Sequence, residues 1–287
     1  MATCGEFKPQ AVSNLMWALA TLGVEPGAEL TAAMSGQAVA QCGEFKPQEV
    51  SNLMWALATL GVEPGAELSA AMSGRAVAQC GEFNPQDVSN LMWALVVLGL
   101  EDQVNAFRVF MDHCNSFSFD DADLVLPQLH QVFLCMELGH FTCSVSSSTQ
   151  CTELAKRCRT AFERGQQSVS LLQQSVGRRL RGMGLSFTEE VLEQRTGYSI
   201  DFEVRPGGSC RWALEVDGPS HFVHGGARPR PNGPTLLKQK LLERAGWRTA
   251  AVEYWVWDAC AARGADAERE YLDALLQLAP AVGLVTP

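Results

Sequence analysis

Apolar and polar positions recur along the first part of the chain with two nested periods. Within Pro9 to Leu22, residues Val12, Leu15, Met16, Leu19 and Leu22 fall on one face of a helix. Pro9 suits the first turn of that helix and Gly23 the residue just past its end. A second helix, opened by Pro26, carries Leu30, Met34 and Val39. The whole unit, CGEFKPQAVSNLMWALATLGVEPGAELTAAMSGQAVAQ from Cys4 to Gln41, returns from Cys42 to Gln79 with three changes in 38 residues. A third copy starts at Cys80 and holds through Gly99. HQVFLCMELG, from His130 to Gly139, aligns with NLMWALATLG as a diverged fourth copy, with Phe133 in the Trp place. A helical pair this small cannot bury its apolar face alone, but stacked copies can. The pattern predicts an α-helical repeat solenoid over residues 1–141, with the diverged copy as its cap.

The texture then changes. Residues 142–152, including SVSSSTQ, read as a linker. Glu153 to Leu180 has helical spacing through Leu154, Cys158, Phe162, Val169, Leu172, Val176 and Leu180. Phe187 to Leu192, Ser199 to Val204 and Arg211 to Asp217 read as strands, the last two with clean alternation. The loop GGARPRPNGP follows, then a helix over Thr235 to Ala245, a strand over Thr249 to Tyr254 and a closing helix over Ala265 to Leu278. Mixed elements in this order predict a small α/β domain over 153–280, a sheet partly covered by helices.

Carboxylates stand out in that domain. Alternation sends Ile200, Phe202 and Val204 to one side of their strand and Asp201 and Glu203 to the other. It also separates Trp212, Leu214 and Val216 from Glu215 and Asp217. If the two strands pair, Asp201, Glu215 and Asp217 share a surface. Like charges that close need a cation between them. Mg²⁺, which takes carboxylate oxygens and water, is one answer. Lys238, Lys240 and Arg244 on the following helix are the other.

Net charge of −10 over 287 residues argues against indiscriminate nucleic-acid binding and confines any such function to a local patch. One stretch qualifies: Lys156 to Arg181 holds seven basic residues against a single acid, Glu163. It is a phosphate track through Arg178, Arg179 and Arg181, or a solvated helix face. Repeats one and two each carry a net −2, which does not suit phosphate. No apolar run reaches the ~18 residues of a membrane-spanning helix. Ten cysteines occur without a C-x-x-C and read as reduced thiols. The opening MATCGEFKPQ is not a signal peptide and falls straight into the repeat, so the chain is expected to be a fragment whose targeting segment lies outside it.

Three separated blocks, EVDGPSHF, TLLKQKLLERAGW and VEYWVWD, make the stretch from Ala213 to Asp258 resemble a RAP domain, with a core over about 213–271. RAP domains are similar to the PD-(D/E)-x-K restriction-endonuclease-like fold. That resemblance implies a first acid at Asp201 and a second pair at Glu215 and Asp217. His221, after the Gly-Pro turn, either acts on a phosphate or a metal-bound water or serves as a structural donor. The sequence departs from the nuclease pattern at the lysine position, which Asp217 occupies, so Lys238 or Lys240 would have to supply the cation. The repeats, with their core FxPQxVSNLMWALATLG, resemble octotricopeptide repeats of organellar RNA-binding proteins. Such arrays often end in a RAP domain, as do FAST kinase-like organellar RNA regulators.

The two resemblances imply an RNA-binding protein of mitochondrion or chloroplast. It would act in transcript processing, maturation or stability on single-stranded transcripts, alongside other ribonucleoprotein components and away from membranes. Alternatives are a metal-dependent endoribonuclease using Asp201, Glu215, Asp217, His221, Lys238 and Lys240 with Mg²⁺, and a protein-interaction scaffold. Asn14, Asn52 and Asn90, at one fixed place in the repeats, either read bases or bond neighbouring repeats. Trp17, Trp55 and Trp93 either stack on bases or pack between repeats.

Overall fold

The computed structural model describes residues 7–114, 117, 125–142, 149–165, 169–205 and 211–277. Cys4 and Glu6, which the repeat pattern includes, lie outside these residues, as does most of the expected linker, 143–148. The chain is mostly helical in its N-terminal part, followed by a small mixed-sheet domain. It divides into two compact units, residues 1–164 with 221–241, and residues 165–220 with 242–287.

In the first unit each repeat supplies a helical pair: α1 (Pro9–Leu22) with α2 (Gly27–Ala40), α3 (Pro47–Leu60) with α4 (Gly65–Ala78), and α5 (Pro85–Val97) with α6 (Val104–Cys114). Pro stands at the start of α1, α3 and α5, where its missing N–H is no loss. Gly23, Gly61 and Gly99 take left-handed backbone, with φ of 63°, 61° and 63°, and end the first helix of each pair. The diverged copy forms α7 (Val125–Glu137), closed by Gly139 at φ 66°. α8 (Thr149–Arg164) packs on α7.

The first helices stack in a row, α1 on α3, α3 on α5 and α5 on α7. The second helices stack beside them, α2 on α4 and α4 on α6. Polar bonds cross the same seams: Ser51 Oγ donates to Asp87 Oδ1 (3.1 Å) and Ser89 Oγ donates to Gln128 Oε1 (2.9 Å). Burial follows the stacking. Leu60 is fully buried, while its equivalent Leu22 is 72% exposed. In the row of first helices, among the described residues, α3 is flanked by α1 and α5, whereas α1 is flanked by α3 on one side.

Residues 221–241 complete this unit. His224 donates its N–H to Gly23 C=O, and Glu25 donates its N–H to His224 C=O, both at 2.7 Å. The Pro- and Gly-rich loop forms a short antiparallel pair, β4 (Phe222–Val223) with β5 (Arg230–Pro231), which the composition did not suggest. The Arg230 guanidinium donates to Leu60 C=O at the end of α3 and lies 3.5 Å from the Glu25 carboxylate. A cation suits a helix C-terminus, where carbonyls lack intrahelical partners. Gly233 is needed sterically, since a Cβ there would lie 1.9 Å from Ala58 C=O.

In the second unit, α9 (Leu171–Gly182) leads into a four-stranded sheet of β1 (Phe187–Leu192), β2 (Ser199–Val204), β3 (Trp212–Asp217) and β6 (Arg248–Glu253), in the order β1-β2-β3-β6. The first three strands are antiparallel neighbours, and β6 runs parallel to β3. α11 (Tyr254–Arg263) and α12 (Ala265–Leu275) follow β6, and α10 (Gly233–Arg244), most of it in the first unit, precedes β6 along the chain. Val176, Leu180, Phe202, Val204, Trp212, Leu214, Val216, Val252, Trp257 and Leu272 form the core. Gly177 lets α9 approach the Phe202 ring, which lies 3.3 Å from where a Cβ would be.

The helix α11 was not anticipated. The strand expected to run to Tyr254 ends at Glu253, which adopts extended backbone at the N-cap, and the buried residues Trp257 and Cys260 follow helical spacing.

The repeat stacking makes a direct comparison available. Leu60→Ala should destabilise the protein by about 2–5 kcal/mol through the cavity it leaves. Leu22→Ala, the same change in a nearly identical sequence, should stay within about 0.5 kcal/mol because the side chain is exposed. Urea denaturation of the two variants beside the parent checks this, and equal losses would contradict the stacking order.

Candidate functional site

The sheet of the second unit sets the geometry. Ile200, Phe202, Val204, Trp212, Leu214 and Val216 are all buried on the side that alternation assigns to the core. The opposite side is less open than a solvated carboxylate surface would be: Ala213, Glu203 and Asp217 are buried, and Asp201 and Glu215 half-buried. Asp201 Oδ2 accepts the backbone N–H of Val216 at 2.7 Å, so one of its oxygens is committed to holding β2 against β3. Glu203 is bonded to Arg205 at 2.6 Å.

Asp217 ends β3 opposite Glu253, the last residue of β6, across the parallel ladder. The Tyr271 hydroxyl accepts the Glu253 N–H at 3.4 Å. Burial, first of all, pushes the Tyr271 phenol up to about 12, with the charges of Glu253, Cys260 and Asp217 adding to it and the backbone bond to Glu253 offsetting it in part. Glu253 and Tyr271 were not singled out from the sequence. Their approach to Asp217 depends on the β3–β6 pairing and on α12, which no local pattern reports. Among the described residues no group of three or more His, Cys, Asp or Glu side chains is gathered so that it could hold a metal ion. Asp201, Glu215 and Asp217, as placed, are not such a group.

His221, Lys238 and Lys240 belong to the first unit. His221 C=O accepts Asn232 N–H at 2.9 Å and the Thr235 hydroxyl at 3.2 Å, and the His221 Nδ1 lies 3.4 Å from that hydroxyl. Asn232 Oδ1 accepts Thr235 N–H at 3.1 Å near the start of α10. Lys238 is half-buried. Lys240 is exposed and lines a cleft of about 190 Å³ with Ala58, Gly61, Glu63 and Val97.

The basic candidates divide. Arg179 pairs with Glu268 at 2.5 Å and Arg181 with Glu189, while Arg178 is exposed without an acidic partner among the described residues. Asn14, Asn52 and Asn90 run from exposed through half-buried to buried along the stack, and Asn90 accepts from Gln86 in its own helix. The tryptophans follow the same gradient. Trp17 is 45% exposed and Trp93 3%, and Trp93 donates its indole N–H to Gln131 of the next copy. Cys158 on α8 is buried, which pushes its thiol up to about 12 with Arg157 offsetting in part. Such a group stays a thiol and is no nucleophile.

A second set of arginines lies at the other end of the sheet from Asp217 and Glu253. The Arg211 guanidinium stands 4.3 Å from the ring centroid of Trp247, and that of Arg248 stands 5.4 Å from the ring of Trp212. Arg205 follows β2 at the same end. The sheet therefore carries exposed arginines where β3 and β6 begin. The one-dimensional signal was present as Arg211-Trp212 and Trp247-Arg248, two mirrored dipeptides opening neighbouring strands.

Residues 214–275 match the RAP domain, and residues 35–126 match the family described as Tbc2 translation factor, N-terminal domain. The chain is a helical-repeat protein carrying a RAP domain. No described helix is long and apolar enough to cross a membrane.

The role of Asp201 in joining strands can be measured. Asp201→Ala removes the acceptor from a buried N–H and should destabilise the protein by about 1–3 kcal/mol. Asp201→Asn keeps an acceptor oxygen and should lose less. Chemical denaturation of both variants is the check, and equal stability of Asp201→Ala and the parent would contradict this role.

Proposed function

We propose that the protein binds RNA and acts in organellar RNA metabolism, in the maturation, stability or translation of transcripts in mitochondrion or chloroplast. The observation that carries this reading is the pairing, in one chain, of a RAP domain with a helical-repeat region similar to the N-terminal domain of Tbc2 translation factor. The ligand is single-stranded RNA within ribonucleoprotein assemblies. The repeats present a long surface, and the RAP-containing part holds the backbone. Arg178 supports this division, because it carries an exposed charge on α9 without an acidic partner among the described residues. The acidic balance of repeats one and two does not suit phosphate, which places more of the affinity outside them.

Affinity of the whole chain for single-stranded RNA, measured against salt, tests the proposal. Binding should weaken linearly in log–log form as counterions are released. Replacing Arg178, Arg179 and Arg181 together by Ala should lower the slope by about 0.7 for Arg178 alone, since the other two are already paired within the protein. A loss near three times that value would show that the ion pairs open on binding. Absence of RNA binding would overturn the reading. In cells, crosslinking and sequencing should recover organellar transcripts, and recovery of only cytosolic RNA would overturn the localisation.

A further inference from the structure

The end of the sheet where β3 and β6 begin carries a site that the acidic residues and the α9 arginines do not account for. Trp212 and Arg248 are register partners in the parallel ladder, and Arg248 donates its N–H to Arg211 C=O at 3.3 Å. The two arginine–indole stacks therefore lie within one rung of each other. Strand alternation puts Trp212 on the core face with Leu214 and Val216, and Arg211 with Trp247 on the opposite face. The stacks thus straddle the end of the sheet.

Both indoles are buried and both arginines exposed. A guanidinium stacked on an aromatic ring uses one flat face. The N–H donors that the ring does not engage can serve two phosphate oxygens. Neither Arg211 nor Arg248 has an acidic partner among the described residues, unlike Arg205 with Glu203 and Arg181 with Glu189. The ring contact, worth about 0.5–1 kcal/mol at an exposed site, biases each head before any ligand arrives and so reduces the freedom lost on binding.

We infer that the Arg211–Trp247 and Arg248–Trp212 stacks form a contact for the sugar–phosphate backbone of single-stranded RNA at the end of the sheet where β3 and β6 begin. This rests on the RNA-binding reading above and adds to it the site where the backbone is held. The two stacks act as a clamp whose specificity is for the charged backbone rather than for base edges, because guanidiniums held this way present donors to phosphate oxygens.

The test uses the whole chain and fluorescein-labelled oligouridine, with binding followed by anisotropy over a range of salt. Arg211→Ala with Arg248→Ala should lower the log–log salt slope by about 1.4, two contacts at about 0.7 each. Arg211→Lys with Arg248→Lys should restore the slope, since it keeps the charges, while leaving affinity below that of the parent. An unchanged slope in the alanine variant, with the parent binding RNA, overturns the site and leaves RNA binding standing. No binding by the parent overturns both. Oligothymidine DNA provides the parallel arm, and tighter binding of DNA than of RNA overturns the assignment to RNA. Independently of folding in the variants, phenylglyoxal labelling of the parent should show RNA protecting Arg211 and Arg248 but not Arg195 or Arg263. Full labelling of Arg211 and Arg248 under saturating RNA overturns the site.

Discussion

The inability of one 38-residue helical pair to cover its own apolar face governs the first unit. Each first helix has an apolar surface too wide for the partner helix of its own repeat. The surplus is buried by the equivalent helix of the next copy. Equivalent side chains differ in burial along the row, as Leu22 and Leu60 do, and Trp17 and Trp93. The polar bonds across the seams, Ser51 to Asp87 and Ser89 to Gln128, are consequences of that stacking. Burial raises the Asp87 carboxyl pKa, with the bonds to Asn84 and Ser51 offsetting in part. Residues 221–241 add to the same unit by using what the repeats leave open, the carbonyls and loop at the ends of α1 and α3.

A different constraint shapes the second unit. β3 lies between β2 and β6 and is buried along nearly its whole length, so its polar residues must be accommodated. Asp201 does this by taking a backbone N–H of β3, and Asp217 lies at the strand's end beside Glu253. The arginines collect at the opposite end, where they stack on the indoles that close the core edge. The exposed arginines at that end present a polyanion with a local site. This accommodates RNA binding by a chain whose net charge is −10, because what acts on phosphate is local charge within a Debye length of about 10 Å at 0.1 M salt.

Much of this architecture was legible in the sequence by itself. The repeat period, the proline openers, the glycine stops, the diverged fourth copy and the alternation in SIDFEV and RWALEVD are local or periodic signals. Local backbone preference and side-chain periodicity are what they report. The RAP blocks could be read for the same reason, being short runs in a set order. Tertiary structure alone decided which members of a repeated set are buried, because that depends on having a neighbour. It alone showed that Arg179 and Arg181 are paired while Arg178 is not. It also put Tyr254 at the start of a helix, brought Tyr271 to Glu253, and set Arg211 and Arg248 one rung apart on neighbouring strands. Each of these joins residues distant in the chain, and composition and spacing carry no information about which distant partner a side chain meets.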